Sequence, residues 1–261
     1  MSVHARQQDQ RPYDLRAAGT TTFNRLYAQA APLIRQGLHQ RESPPVEGGR
    51  WPVSVVLRPD DAAAERLERA MAEVEAYAGS GHFRTGIAGS AHFTVRVLER
   101  YRETVGEGDE MVRRYAEALR RAARHVESIR LDLVGLTLTP GSVMVRAHPV
   151  DDSADRFMDA LKDELKDDGW REAGFRRDIW YANILHFAAD IAQPAELIKW
   201  VAQRRNLDLG HAVTDTAELV RFRYEDGTAG RLMRPEVLAS ARTGRSGQSS
   251  SGRTTDHCEG H

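Results

Sequence analysis

The 261-residue sequence predicts an α+β fold: two similar lobes of antiparallel sheet with helices outside, enclosing a central cleft. Three observations carry this. Short β-branched runs and amphipathic stretches follow one another in the order βαβα, then ββ, then αβαβ. Pro140-Gly141 lies between two strand-like runs and makes them a hairpin, so antiparallel pairing is written into the chain. The two halves also echo each other, since a helix leads into His92-Phe93-Thr94-Val95 in one and into His186-Phe187-Ala188-Ala189 in the other.

Taken in order, residues 1–12 are polar and are expected to be disordered, and residues 13–50 form a helical extension and linker. In that extension Phe23, Leu26, Ala30 and Ile34 recur at helical spacing, and the stretch 43–50 (SPPVEGGR) is a turn cluster. The main domain spans residues 51–239. It opens with a strand at 52–57 (PVSVVL), after which Pro59 and Asp60 stop the strand and cap a helix. That helix has Leu67, Ala70, Met71, Val74 and Tyr77 on its apolar face. A glycine-punctuated loop at 79–89 precedes a strand at 91–98 (AHFTVRVL). Its alternation puts Ala91, Phe93, Val95 and Val97 on one face and His92, Thr94 and Arg96 on the other. Helices near 109–126, 153–165 and 194–203 and strands at 130–138, 142–147, 180–189 and 217–224 complete the pattern. Residues 240–261 have almost nothing to bury and read as a disordered tail.

Composition narrows the function classes. With 37 Lys and Arg against 38 Asp and Glu, there is no overall pull toward nucleic acid or anionic lipid. The single cysteine, Cys258, allows no internal disulfide and argues against a cysteine-based zinc site. No stretch reaches the roughly 18 apolar residues of a membrane span, and residues 1–12 lack the apolar run of a secretory signal. A cytoplasmic protein that uses no membrane is expected.

The chemistry is expected at the two histidines. Residues i and i+2 of a strand point the same way, so His92 and Thr94 offer an imidazole and a hydroxyl to one space. Two facing lobes would bring His186 to the same cleft. One neutral imidazole then takes a proton from an attacking hydroxyl, and one protonated imidazole gives a proton to the departing oxygen. A neighbouring hydroxyl holds the charge on a non-bridging phosphate oxygen. This chemistry needs neither metal nor cofactor.

The two His-Phe strands and the order of the surrounding elements resemble the two-histidine (2H) phosphoesterase superfamily, which includes 2′-5′ RNA ligase-like proteins and cyclic phosphodiesterases. His92-Phe93-Thr94 matches the His-x-Thr/Ser motif fully, and the resemblance covers roughly residues 51–238. It implies that His92 and His186 are the acid–base pair and that Thr94 holds phosphate. The substrate it implies is a cyclic or 2′-5′ phosphodiester of a nucleotide or RNA end. Ala188 departs from the motif, and Asn183-Ile184-Leu185 is a competing register for it. The alternative is therefore a catalytically weak or inactive nucleotide- or RNA-binding module on the same fold.

Further side chains are candidates for contacting substrate: Arg96 on the His92 strand, His82 in the preceding loop, and Tyr181 ahead of His186. Each has a plainer reading as an ion-pair partner, a solvated loop residue or a packing residue. His148, before Pro149, reads as a turn residue, and His257, Cys258, Glu259 and His261 as scattered tail residues rather than a metal site.

Overall fold

A computed structural model describes residues 11–175, 177–227 and 230–244, with the side chains of 11–18 outside the description. The expected α+β architecture is the one found. Among the described residues there are five α-helices and nine strands, and the strands make a single sheet.

The strands are β1 (Val53–Arg58), β2 (Phe83–Arg84), β3 (Phe93–Glu99), β4 (Ile129–Thr139), β5 (Ser142–Pro149), β6 (Trp180–His186), β7 (Asp208–Thr214), β8 (Thr216–Gly227) and β9 (Gly230–Arg242). Their order across the sheet is β3-β1-β8-β9-β2-β6-β5-β4-β7. Four strands lie on each side of β2, and these are the two lobes. The two-residue β2 joins them, pairing antiparallel with β6 and parallel with β9. The sheet curls, so β3, its first strand, approaches β6, its sixth. The face on which β3 and β6 approach each other is the concave one.

The helices are α1 (Arg11–Arg35), α2 (Asp61–Ala78), α3 (Glu110–Ala123), α4 (Ser153–Leu165) and α5 (Pro194–Gln203). The Asp60 carboxylate caps α2 by accepting from the Ala63 N–H at 2.9 Å, and Asp109 caps α3 through Val112 N–H at 3.0 Å. The apolar faces of α2 to α5 bury against alternate sheet residues: Val55 and Leu57 of β1, Leu131 and Leu133 of β4, and Val143 and Val145 of β5. Each fully buried Leu, Ile or Phe there contributes about 1.5–3 kcal/mol.

Several boundaries differ from the sequence expectation. Helix α1 begins at Arg11, so residues 11 and 12 are helical, each adding a backbone bond to a helix already nucleated. The strand expected at 180–189 ends at His186, because Phe187 N–H turns to the Gly141 carbonyl at 2.9 Å. The chain after Tyr224 runs on as a long hairpin, with β9 continuing through Arg242, so the tail boundary at 240 falls inside a strand. Part of the glycine-rich loop is β2. The helical extension also belongs to the main body: Ala30, Ala31 and Ile34 join the principal core cluster. The expectations of disorder at 1–10 and 245–261 lie outside the described residues.

Candidate active site

On the concave face a second apolar cluster gathers Trp51, Val56, Phe83, Tyr101, Val220, Phe222 and Met233, with Ala188 and Tyr224 packed against it. The two histidines stand on this cluster. The His92 ring lies 5.0 Å from that of Phe222, and the His186 ring lies 4.8 Å from that of Trp51. Trp51 and Phe222 are themselves 5.7 Å apart. The aromatic wall is therefore continuous from one imidazole to the other.

Strand pairing accounts for the placement. His186, the last residue of β6, pairs with Phe83 of β2 and Ser142 of β5. His92 stands one residue before β3, and Thr94 pairs with Val56, a member of the aromatic cluster. The two His-Phe segments are thus not equivalent strands: β3 runs onward from His92, whereas β6 runs up to His186. A bulge at Ile184 gives both Asn183 and His186 the concave face, since Asn183 pairs with Met144 and His186 with Ser142. The competing register and the preferred one therefore share one surface.

Both imidazoles are held neutral. Burial pushes His92 down to about 4, the Ser90 hydrogen bond opposes this, and the Arg58 guanidinium adds to it. Burial pushes His186 down to about 3, helped by Arg50 and by His92 itself. His186 thus feels the charge of His92. His92 Nδ1–H donates to the Ser90 carbonyl at 2.7 Å, which leaves Nε2 as the acceptor. His186 Nδ1 is buried with no partner among the described residues.

Arg58 is a site residue that the sequence reading missed. It ends β1 on the same face as Val56, donates to the Gly89 carbonyl at 2.9 Å and lies 3.5 Å from Glu218. One terminal nitrogen, Nη1, is buried without a partner among the described residues. Strand alternation from Val56 was the signal that could have found it. Trp51 was placed only as the start of the domain; it ends an irregular segment with no periodicity to read.

Three expected substrate contacts are corrected. Arg96 does not share the face of Thr94. A bulge at Val95 pairs Arg96 with Val55 and Thr94 with Val56, which are on opposite faces, and Arg96 is buried with Nη2 donating to the Gly169 carbonyl at 2.8 Å. His82 is buried with both nitrogens engaged: Nε2–H donates to Ala78 O at 3.1 Å, and Nδ1 accepts from Ala188 N–H at 3.1 Å. Burial lowers its pKa, with the Ala78 bond opposing, so it is a structural tie between α2 and the residues after the His186 strand. Tyr181 pairs with Arg146, roughly 15 Å along β6 from His186. There α1 crosses the concave face, with the Arg146 guanidinium 5.7 Å from the Phe23 ring. His148 lies edge-on to the same ring.

No group of three or more His, Cys, Asp or Glu is placed to hold a metal among the described residues. None of their helices is long and apolar enough to cross a membrane. The tail residues His257, Cys258, Glu259 and His261 lie outside the description.

The fold is a curled, largely antiparallel sheet with α1 across one end of its concave side and two imidazoles on that same side. The same fold is found in TT0787 of Thermus thermophilus, at 16% identity over 73% of this chain and 97% of that one, with a TM-score of 0.52. Also aligned are Escherichia coli LigT complexed with 3′-AMP (10% identity, 74% and 97% covered, TM-score 0.49) and a phosphoesterase (8%, 75% and 99%, 0.48). No family model and no curated protein sequence matches the chain. The α+β fold expected from the sequence is thus one that a solved structure shares.

Proposed function

We propose that this chain is a two-histidine phosphoesterase that cleaves a cyclic or 2′-5′ phosphodiester of a nucleotide or RNA end without a metal. The observation that carries the reading is the pair of imidazoles standing at the two ends of one aromatic wall. His92 Nε2, kept as an acceptor by the Ser90 bond, takes the proton from the attacking water. His186 gives a proton to the departing oxygen, and the proton arrives with the substrate: an anionic phosphate between the rings stabilises the imidazolium that burial otherwise disfavours. Thr94 and the free Arg58 N–H hold non-bridging oxygens. The cytoplasmic setting expected from the cysteine content belongs to the same proposal.

His92→Ala and His186→Ala should each lower turnover of a 2′,3′-cyclic nucleotide by at least about a hundredfold, and EDTA should leave the rate unchanged. Turnover that survives both substitutions, or that disappears with EDTA, removes this mechanism.

The second reading is a nucleotide-binding module without turnover. Ala188, in place of a hydroxyl, and the neutrality of both rings favour it. Thermal stabilisation by 2′- or 3′-nucleotides with no product formed would establish it.

A further inference from the structure

The hydroxyl missing at residue 188 leaves the surroundings of His186 short of a donor, and Trp51 brings an unpartnered indole N–H to the same cluster. Trp51 packs against His186, Phe83 and Phe222, with ring centroids at 4.8, 5.9 and 5.7 Å. Ala188 packs against the same cluster. The indole Nε1–H is buried and has no acceptor among the described residues. An unmade hydrogen bond at a buried donor is costly, and a folded protein seldom keeps one without a use for it.

The backbone says the same. Trp51 has φ of 71°, a conformation that strains a bulky side chain and that collects at functional positions. The ring is held there by the segment in front of it: Gly48 N–H donates to the Tyr101 carbonyl at 2.9 Å, and Arg50 pairs with the buried carboxylate of Glu42. Arg50 also supplies positive potential at His186. An unpaired N–H and an imidazole thus stand together at one end of the aromatic wall. That set suits an anionic oxygen and has no use for an apolar ligand.

We infer that the Trp51 indole N–H stands in for the hydroxyl absent at Ala188, donating to a non-bridging phosphate oxygen beside His186. This rests on the proposed phosphodiesterase reading. The phosphate is then held from two sides, by Thr94 and Arg58 near His92 and by Trp51 near His186. Trp51 is a binding residue with no part in proton transfer.

The test uses the full chain, a 2′,3′-cyclic nucleotide as substrate and a 2′-nucleoside monophosphate as calorimetric ligand. Trp51→Phe keeps an aromatic side chain in the cluster while removing the N–H and part of the indole's volume, a loss that the serine rescue separates from the hydrogen bond. It should lower kcat/KM by about tenfold to a hundredfold, the worth of one hydrogen bond to a charged group, and weaken the monophosphate to a similar degree. Adding Ala188→Ser to Trp51→Phe should recover at least about fivefold, and the gain should exceed that from Ala188→Ser in the unaltered chain. A purely structural indole would give no such rescue. If Trp51→Phe matches or exceeds the unaltered chain, or the serine rescues nothing, the inference falls while the histidine mechanism stands. If the unaltered chain turns nothing over, the phosphodiesterase reading falls and calorimetry alone decides. Equal monophosphate affinity in the two chains, or none in either, then overturns the role of Trp51.

Discussion

A buried neutral imidazole stores a pH dependence whose direction follows from the sign of its shift. In the unfolded chain a histidine takes up a proton below about 6.5. In the folded chain His92 waits until about 4 and His186 until about 3. Between those limits the unfolded state binds more protons, so stability is fully present above about pH 6.5 and is lost as pH falls toward 4. Thermal unfolding followed from about pH 7 to about pH 4 should show this decline, and His92→Gln and His186→Gln should each flatten it. An unchanged slope in both variants would mean that the rings are not held neutral by burial. At this scale the sequence was informative about identity and poor about direction. The shared side of His92 and Thr94 was an expectation drawn from strand alternation, and Thr94 does pair with Val56 of the aromatic cluster. Arg96, two positions on, was misassigned, because nothing in a one-dimensional pattern marks the bulge at Val95 that turns it over.

Elements were legible wherever one face is buried and the other is not. The helices around Leu67, Leu119 and Leu161 and the Pro140-Gly141 hairpin all form as their patterns require. What escaped was structure made by pairing alone. β2 has two residues and β9 is a mixed-polarity hairpin arm, and neither has a period to detect. The treatment of the sheet edge was equally invisible. β3 is an outer strand, and the segment after α4 covers it: Glu172 accepts from Val97 N–H at 2.9 Å, and Arg177 donates to Val95 O at 3.3 Å. Arg96 is part of that covering, since it bonds Gly169 and lies in the field of Glu172. Arg96→Ala should therefore lower stability in urea by about 1–3 kcal/mol, the cost of orphaning a buried acceptor. KM for a phosphodiester should stay where it was. A raised KM with unchanged stability would return Arg96 to the cleft.

For the whole molecule, α1 decides how much of the concave face is open. It crosses the β4–β5 end, with Thr137 Oγ1 donating to the Phe23 carbonyl at 3.1 Å and Tyr27 Oη donating to the Ile198 carbonyl of α5 at 3.2 Å. Phe23 is fully buried between them. Phe23→Ala should cost about 3–5 kcal/mol in chemical unfolding, as a core residue does and an appended helix would not. A loss below about 1 kcal/mol would make α1 an accessory. The sequence showed that α1 is a helix with an apolar face, and it held no means of telling which surface that face would meet.

The strand order also governs how the chain is made. Strands β4 to β7 come from one unbroken stretch, and they form one lobe by themselves. The other lobe is stitched from both ends, because β1 has only β3 beside it until β8 arrives, far later in the sequence. During synthesis, β1 must wait, unpaired on one side, while the second lobe assembles. Pairings so distant in sequence are slow to form. The His92 platform therefore completes its pairing only when the β8–β9 hairpin emerges, and until then β1 lacks one of its two neighbours.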